Sequence, residues 1–169
     1  DVGYNQLAWK LRQDPRVVVM ERTNFRHSVP EDFTEGLPEF ATIDVSFISL
    51  KLILPALKRI LVPGSDVVSL VKPQFEAGRE QVGKKGIIRD KKVHLQVVEQ
   101  IRDFAIQEGY ILKEATFSPI TGGDGNIEFL FHLYWPGEGS DCTQDVVVNL
   151  EQVVEAAHEA LKTNKGEDK

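Results

Sequence analysis

The chain lacks disulfide partners, long apolar runs, internal repeats and any excess of basic charge. Its single cysteine, Cys142, rules out an internal disulfide and fits a reducing cytoplasm. Cys142 also has no base beside it in sequence, so a thiol nucleophile is not expected. The most apolar stretch, residues 50–61, is broken by Lys51, Pro55, Lys58 and Arg59. It falls short of the ~18 apolar residues that a membrane span needs, so no membrane partner is expected. The opening DVGYNQLAWK has no basic region followed by a small-residue cleavage site, so a secretory signal is not expected either. His27, His94, His132 and His158 are scattered without ligand spacing, and no metal site is expected.

The charge deficit is local. Twenty Lys and Arg stand against 26 Asp and Glu, for a net charge of −6. Residues 137–169 hold eight acids and three bases, while the rest of the chain is almost balanced at eighteen against seventeen. A net negative chain argues against a nucleic-acid partner, but a near-neutral body accommodates RNA if a separate element supplies positive charge. The acidic end reads as a solvated helix surface followed by a disordered tail.

What is present is an alternation of helical and β-rich segments. With 169 residues, 41% of them hydrophobic and 27% charged, the composition is that of one soluble domain with a substantial core. Leu7, Ala8 and Leu11 predict a helix over 4–12, and RVVVME predicts a strand over 16–21. FATIDVSF predicts a strand over 40–47. A helix is expected over 49–61, with Pro55 kinking it or confining its regular part to the residues beyond. A strand over 66–71 leads into a long glycine- and lysine-bearing connection, 74–89. Asp90 is the expected N-cap of the next helix and Gly109 its C-terminal stop. Strands over 110–120 and 127–135 flank the turn TGGDGN, and Leu150, Val153, Val154, Ala157 and Leu161 mark an amphipathic C-terminal helix. This order predicts an α/β sheet with helical crossovers.

Three charged residues fall in strands, where burial is expensive: Asp44, Lys72 at the end of VVSLVK, and Glu128. In an open parallel sheet the carboxyl ends of the strands line the ligand crevice. Asp44 and Lys72 sit near such ends, and Glu128 joins them only if its strand runs antiparallel. Taken singly, each also fits a plain reading as an edge residue, a snorkelling strand end or a solvent-facing side chain.

Together, DVSFISL, KPQFEAG and TGGDGNIEFLFHL resemble the TlyA-type (hemolysin A) family of FtsJ-like ribose methyltransferases, over most of the chain through Leu133. The resemblance implies a Rossmann-like methyltransferase sheet, mostly parallel with its last strand antiparallel and ordered 3-2-1-4-5-7-6. It implies S-adenosylmethionine as cofactor and a ribose 2′-hydroxyl of ribosomal RNA as acceptor, with cytidine as the target nucleoside. Asp44, Lys72 and Glu128 match the last three members of the family's Lys-Asp-Lys-Glu tetrad. Asp1 matches the acidic residue that holds the cofactor ribose, Thr23 and Asn24 the adenine-contacting segment, and Asp44 borders the sulfonium. Where Asn24 stands, the FtsJ-like pattern has aspartate. The tetrad's first lysine and the glycine-rich methionine loop have no counterpart here, and the first strand and most of the second are missing from the expected sheet. The chain therefore reads as the C-terminal part of a longer protein, with 1–136 a partial methyltransferase domain. Residues 137–169 then read as an acidic linker, helix and tail docked on that domain. The family also implies an upstream RNA-binding domain, with ribosomal RNA or a ribosomal subunit as partner.

The loop GKKG, with Lys84, Lys85 and the nearby Arg89, reads either as a phosphate-contacting element or as a solvated loop. Two other function classes stay open at this point. One is a non-catalytic RNA- or ribosome-binding module with the same fold. The other is a membrane-lytic protein, against which the lack of a spanning or strongly basic amphipathic segment counts.

Overall fold

The structure, a computed structural model, describes residues 1–163. The disordered tail expected at the acidic end lies largely beyond residue 163, outside the described residues. Four strands form one sheet: β1 (Phe40–Ile43), β2 (Ser65–Val71), β3 (Ile111–Phe117) and β4 (Phe129–Trp135), in the order β1-β2-β4-β3. β1 and β2 are parallel, and β4 runs antiparallel to both of its neighbours. Three strands thus point one way and the last runs against them, as expected. The order corresponds to the 4-5-7-6 half of the anticipated sheet.

Alternation decides which face is covered. Ser65, Val67, Ser69 and Val71 on β2 and Phe129, Phe131, Leu133 and Trp135 on β4 point to one side and are buried. Against this side lie α2 (Leu50–Lys58), α4 (Lys91–Gln107) and α5 (Leu150–Thr163), which share one core with those strands. Each fully buried Leu, Val or Phe in that core contributes about 1.5–3 kcal/mol. Buried Tyr110 donates its hydroxyl to the Leu54 carbonyl at 2.7 Å and so ties the end of α4 to α2. α4 begins where Asp90 accepts from the Lys92 amide at 2.8 Å, and the chain leaves it through Gly109 at φ 95°.

Three expectations are corrected. Residues 16–21 form no strand. Their backbone meets the chain's first residues instead, with the Asp1 amino group donating to the Met20 carbonyl at 2.9 Å and Arg22 N to Gly3 O at 3.0 Å. Among the described residues no sheet strand pairs with them, so their β-rich composition completes no ladder. The helix expected over 4–12 contracts to α1 (Trp9–Arg12), which buries none of its residues, while Asn5 takes the left-handed φ of 57°. A short helix without a packed face is marginal in water. Finally, α2 runs through Pro55 rather than starting after it, with five helical residues preceding the proline. Ser49 caps the helix by accepting from Lys51 N at 3.1 Å, and burial of Leu50, Ile53, Leu54, Ala56 and Leu57 offsets the lost hydrogen bond.

Candidate active site

The carboxyl edge of the sheet gathers the charged residues. β1 ends at Ile43, so Asp44 stands just past the strand rather than inside it. β2 ends at Val71, and Lys72 is the N-cap of the single-turn helix α3 (Pro73–Glu76), whose first position suits Pro73. The Lys72 ammonium pairs with Asp44 Oδ1 at 2.6 Å and donates to Ser46 Oγ at 3.3 Å. The Lys72 side chain is 11% exposed and that of Asp44 70%, so a sheltered ammonium meets a carboxylate open to solvent.

Glu128 reaches the same edge because β4 is antiparallel: the final rung pairs Val71 with Phe129, which sets Glu128 across from Lys72. It is only 7% exposed, yet among the described residues it forms no ion pair; its Oε1 accepts from Gln74 Nε2 at 2.8 Å. The structure therefore joins Asp44 to Lys72 directly and leaves Glu128 beside them, held by an amide. Gly122 packs against that carboxylate so tightly that a Cβ there would lie 2.1 Å from Oε1.

Two loops are fastened to each other here. The Glu76 carboxylate accepts from Ser49 Oγ at 2.6 Å and from the Leu50 amide at 2.8 Å, clasping α3 to the start of α2. Burial pushes the Glu76 pKa up, while the hydrogen bonds from Leu50 and Ser49 and the charge of Lys51 act against that rise. Phe47 holds a left-handed φ of 62°, a conformation that costs a bulky residue about 1–3 kcal/mol, and is 91% exposed. Its ring packs at a tilt on Phe75 with centroids 4.8 Å apart.

Asp44 also borders an open cleft of about 840 Å³, which Asp1, Thr23 and Asn24 line together with Phe25, Phe47 and β1. The four residues expected to hold a cofactor therefore share one cavity, although they come from three separate segments. Lys72 and Glu128 adjoin this cleft at the sheet edge without lining it. Lys84 and Lys85 are exposed on a turn closed by Gly83 N donating to Ile87 O at 3.1 Å, with Lys85 at φ 64°. Arg89 belongs to a separate cavity of about 220 Å³, beside His94 and His158.

Sequence reasoning missed Ser46, Phe47, Gln74 and Glu76. All four lie within DVSF and KPQFE, so proximity to Asp44 and Lys72 was the available signal. Their individual roles depend on contacts 26 to 54 residues away in sequence.

Residues 1–135 match the family model described as FtsJ-like methyltransferase. The chain is 67% identical over 167 residues to the Bacillus subtilis protein named "Putative rRNA methyltransferase YqxC", covering 99% of this chain and 59% of that protein. It is 44% identical over 133 residues to the Mycobacterium tuberculosis "16S/23S rRNA (cytidine-2'-O)-methyltransferase TlyA", covering 79% and 49%. A solved structure titled "Putative hemolysin from Streptococcus thermophilus" superposes with a TM-score of 0.92 at 57% identity, over 99% of this chain and 59% of that one. The chain thus spans about half to three fifths of the length of the curated relatives it matches. With the sheet order, the antiparallel last strand and the Asp44–Lys72 pair in place, the chain belongs to the FtsJ-like methyltransferase family.

Proposed function

We propose that the protein transfers a methyl group from S-adenosylmethionine to a ribose 2′-hydroxyl of ribosomal RNA, with cytidine as the target nucleoside. The observation that carries this reading is the Asp44–Lys72 ion pair, set on the rim of a cleft that Asp1, Thr23 and Asn24 also line. The cleft fits the cofactor: its volume suits a ligand of that size, its walls are largely apolar, and carboxylates sit at separate points. Asp1 would hold the ribose hydroxyls, Thr23 and Asn24 the adenine, and Asp44 the sulfonium side. When bound, the cofactor supplies an electrophilic methyl carbon.

Lys72 orients the attacking ribose oxygen. Its ammonium passes one proton to one of the flanking carboxylates, Asp44 or Glu128, and takes up the hydroxyl proton in its place, so proton and charge balance as the oxygen becomes an ether. Holding the oxygen in line with the methyl carbon supplies much of the rate through proximity. Phe47, exposed and braced on Phe75, offers an aromatic face against which an unstacked base can lie. Lys84, Lys85 and Arg89 contact RNA phosphates, and further positive charge comes from an RNA-binding domain elsewhere in the longer protein. The site of action is the cytoplasm, where ribosomal RNA resides. Among the described residues no helix is long and apolar enough to cross a membrane.

The test is a transfer assay with the protein in its full natural length, labelled S-adenosylmethionine and ribosomal subunits, with the product scored as 2′-O-methylated nucleoside. Label in ribose supports the proposal. Cofactor heat without transfer, or RNA binding without cofactor heat, would replace it with a binding module.

Glu128 provides a finer check. Gly122→Ala forces its carboxylate aside and is expected to lower transfer about tenfold. Gly123→Ala, whose Cβ would meet nothing within 4 Å, should leave the rate unchanged. Equal rates for both variants would detach Glu128 from the reaction.

A further inference from the structure

Glu128 is a nearly buried carboxylate that makes no ion pair among the described residues, although Lys72 stands across from it at the end of the β2–β4 ladder. Its hydrogen-bond partner is the Gln74 amide, one residue beyond the proline that follows Lys72. A carboxylate only accepts hydrogen bonds, so the Gln74 amide must turn its nitrogen toward Glu128. That contact fixes the other end of the amide. Gln74 Oε1 is then left buried with no hydrogen-bond donor. Orphaned acceptors of this kind are rare in folded proteins, because losing water without gaining a partner is costly.

The two features ask for the same thing. A buried carboxylate without a cation and a buried carbonyl without a donor both call for a positively charged hydrogen-bond donor. Lys72 is the basic residue opposite Glu128, one position past the last rung of the ladder, and its ammonium occupies a different seat, on Asp44 and Ser46. Gln74 comes from the turn that Lys72 itself caps, so the carbonyl is carried by the element that anchors the lysine.

We propose that Gln74 is a positioning residue: it holds Glu128 with its nitrogen and, with its carbonyl, completes a second seat for the Lys72 ammonium. Lys72 moves to that seat from Asp44 when the acceptor ribose enters, which frees Asp44 to face the sulfonium side. Exchange between the seats keeps the ammonium hydrogen-bonded throughout, so the lysine turns without a desolvated intermediate. This inference rests on the methyltransferase reading above.

The test uses the full-length protein with ribosomal subunits and compares the natural form with Gln74→Ala and Gln74→Glu. Gln74→Ala is expected to lower kcat by roughly 10- to 10²-fold with the KM for S-adenosylmethionine unchanged, since no cofactor-holding residue is touched. Gln74→Glu places two carboxylates in hydrogen-bond contact, which must share a proton to remain there. Its kcat should approach the natural value at low pH, where the proton is retained, and fall as pH rises and both groups ionise. A packing role alone does not produce that pH profile. Natural kcat and pH profile in both variants would overturn the proposal, as would a change confined to the cofactor KM. Absence of transfer by the natural protein would strike the methyltransferase reading itself rather than the role of Gln74.

Discussion

Lys72→Ala is expected to lower methyl transfer by about 10²–10⁴-fold while cofactor affinity and folding are retained. The lost contribution is the orienting hydrogen bond and the proton path from the ribose hydroxyl. Folding should hardly notice the change, because the partner Asp44 is 70% exposed and ion pairs of that kind are worth about 0–1 kcal/mol. Cofactor affinity should hold as well, since Asp44 then faces the sulfonium without a competing ammonium. Lys72→Arg separates the two tasks of the lysine: a guanidinium keeps the pair with Asp44 but does not give up a proton near neutral pH. Transfer should remain lost in that variant. A single-turnover assay beside calorimetry with S-adenosylmethionine reads both quantities, and undiminished transfer by Lys72→Ala would remove the lysine from the chemistry.

Acidification is expected to cost the fold on the order of 3 kcal/mol at one residue, His94. The imidazole is fully buried, with its Nδ1 2.8 Å from His158 Nε2 and its ring edge-on to Phe129. Burial, and secondarily the neighbouring His158, depress its pKa from 6.5 to about 4. A hydrogen bond at Ile88 and the carboxylate of Asp90 pull weakly the other way. The unfolded histidine therefore takes up a proton at higher pH than the folded one. Stability from this residue is complete above about pH 6.5 and is lost progressively as pH falls toward 4. The pair joins α4 to α5, and the exposed Lys91–Glu155 ion pair spans the same two helices. Charging His94 is expected to loosen α5 first. Urea titrations at several pH values, on the natural protein and on His94→Gln, measure the effect. The variant should show a shallower dependence of stability on pH between 7 and 4, and identical slopes would refute the assignment to His94.

Local rules were enough wherever one segment could satisfy itself or had a regular partner. The Asp90 cap, the Gly109 exit and the helix at 150–163 followed from capping and period alone. Strands were expected over 66–71 and 127–135 and stand as β2 and β4, and an antiparallel β4 was the condition under which Glu128 could join Lys72. The same rules misjudged 16–21 and 4–12. Both patterns were sound, but a strand needs a neighbouring ladder and a short helix needs a surface to pack on. Of the two expectations for Pro55, a helix confined to the residues beyond it is ruled out, because five buried apolar side chains outweigh one missing amide hydrogen bond.

By itself, then, the sequence determined the class of fold, the order of its elements and the identity of the charged residues at the strand ends. Periodicity, capping and strand-end chemistry are written over a few consecutive residues. Tertiary structure decided which of those charges meet. Lys72 reaches Asp44 across 28 residues, whereas Glu128 is claimed by Gln74 across 54, and Glu76 fastens the two loops together at Ser49. Such choices depend on strand register and on turns closing within a few tenths of an ångström. VVSLVKPQFE placed the lysine at the sheet edge, and packing around it determined which carboxylate it holds.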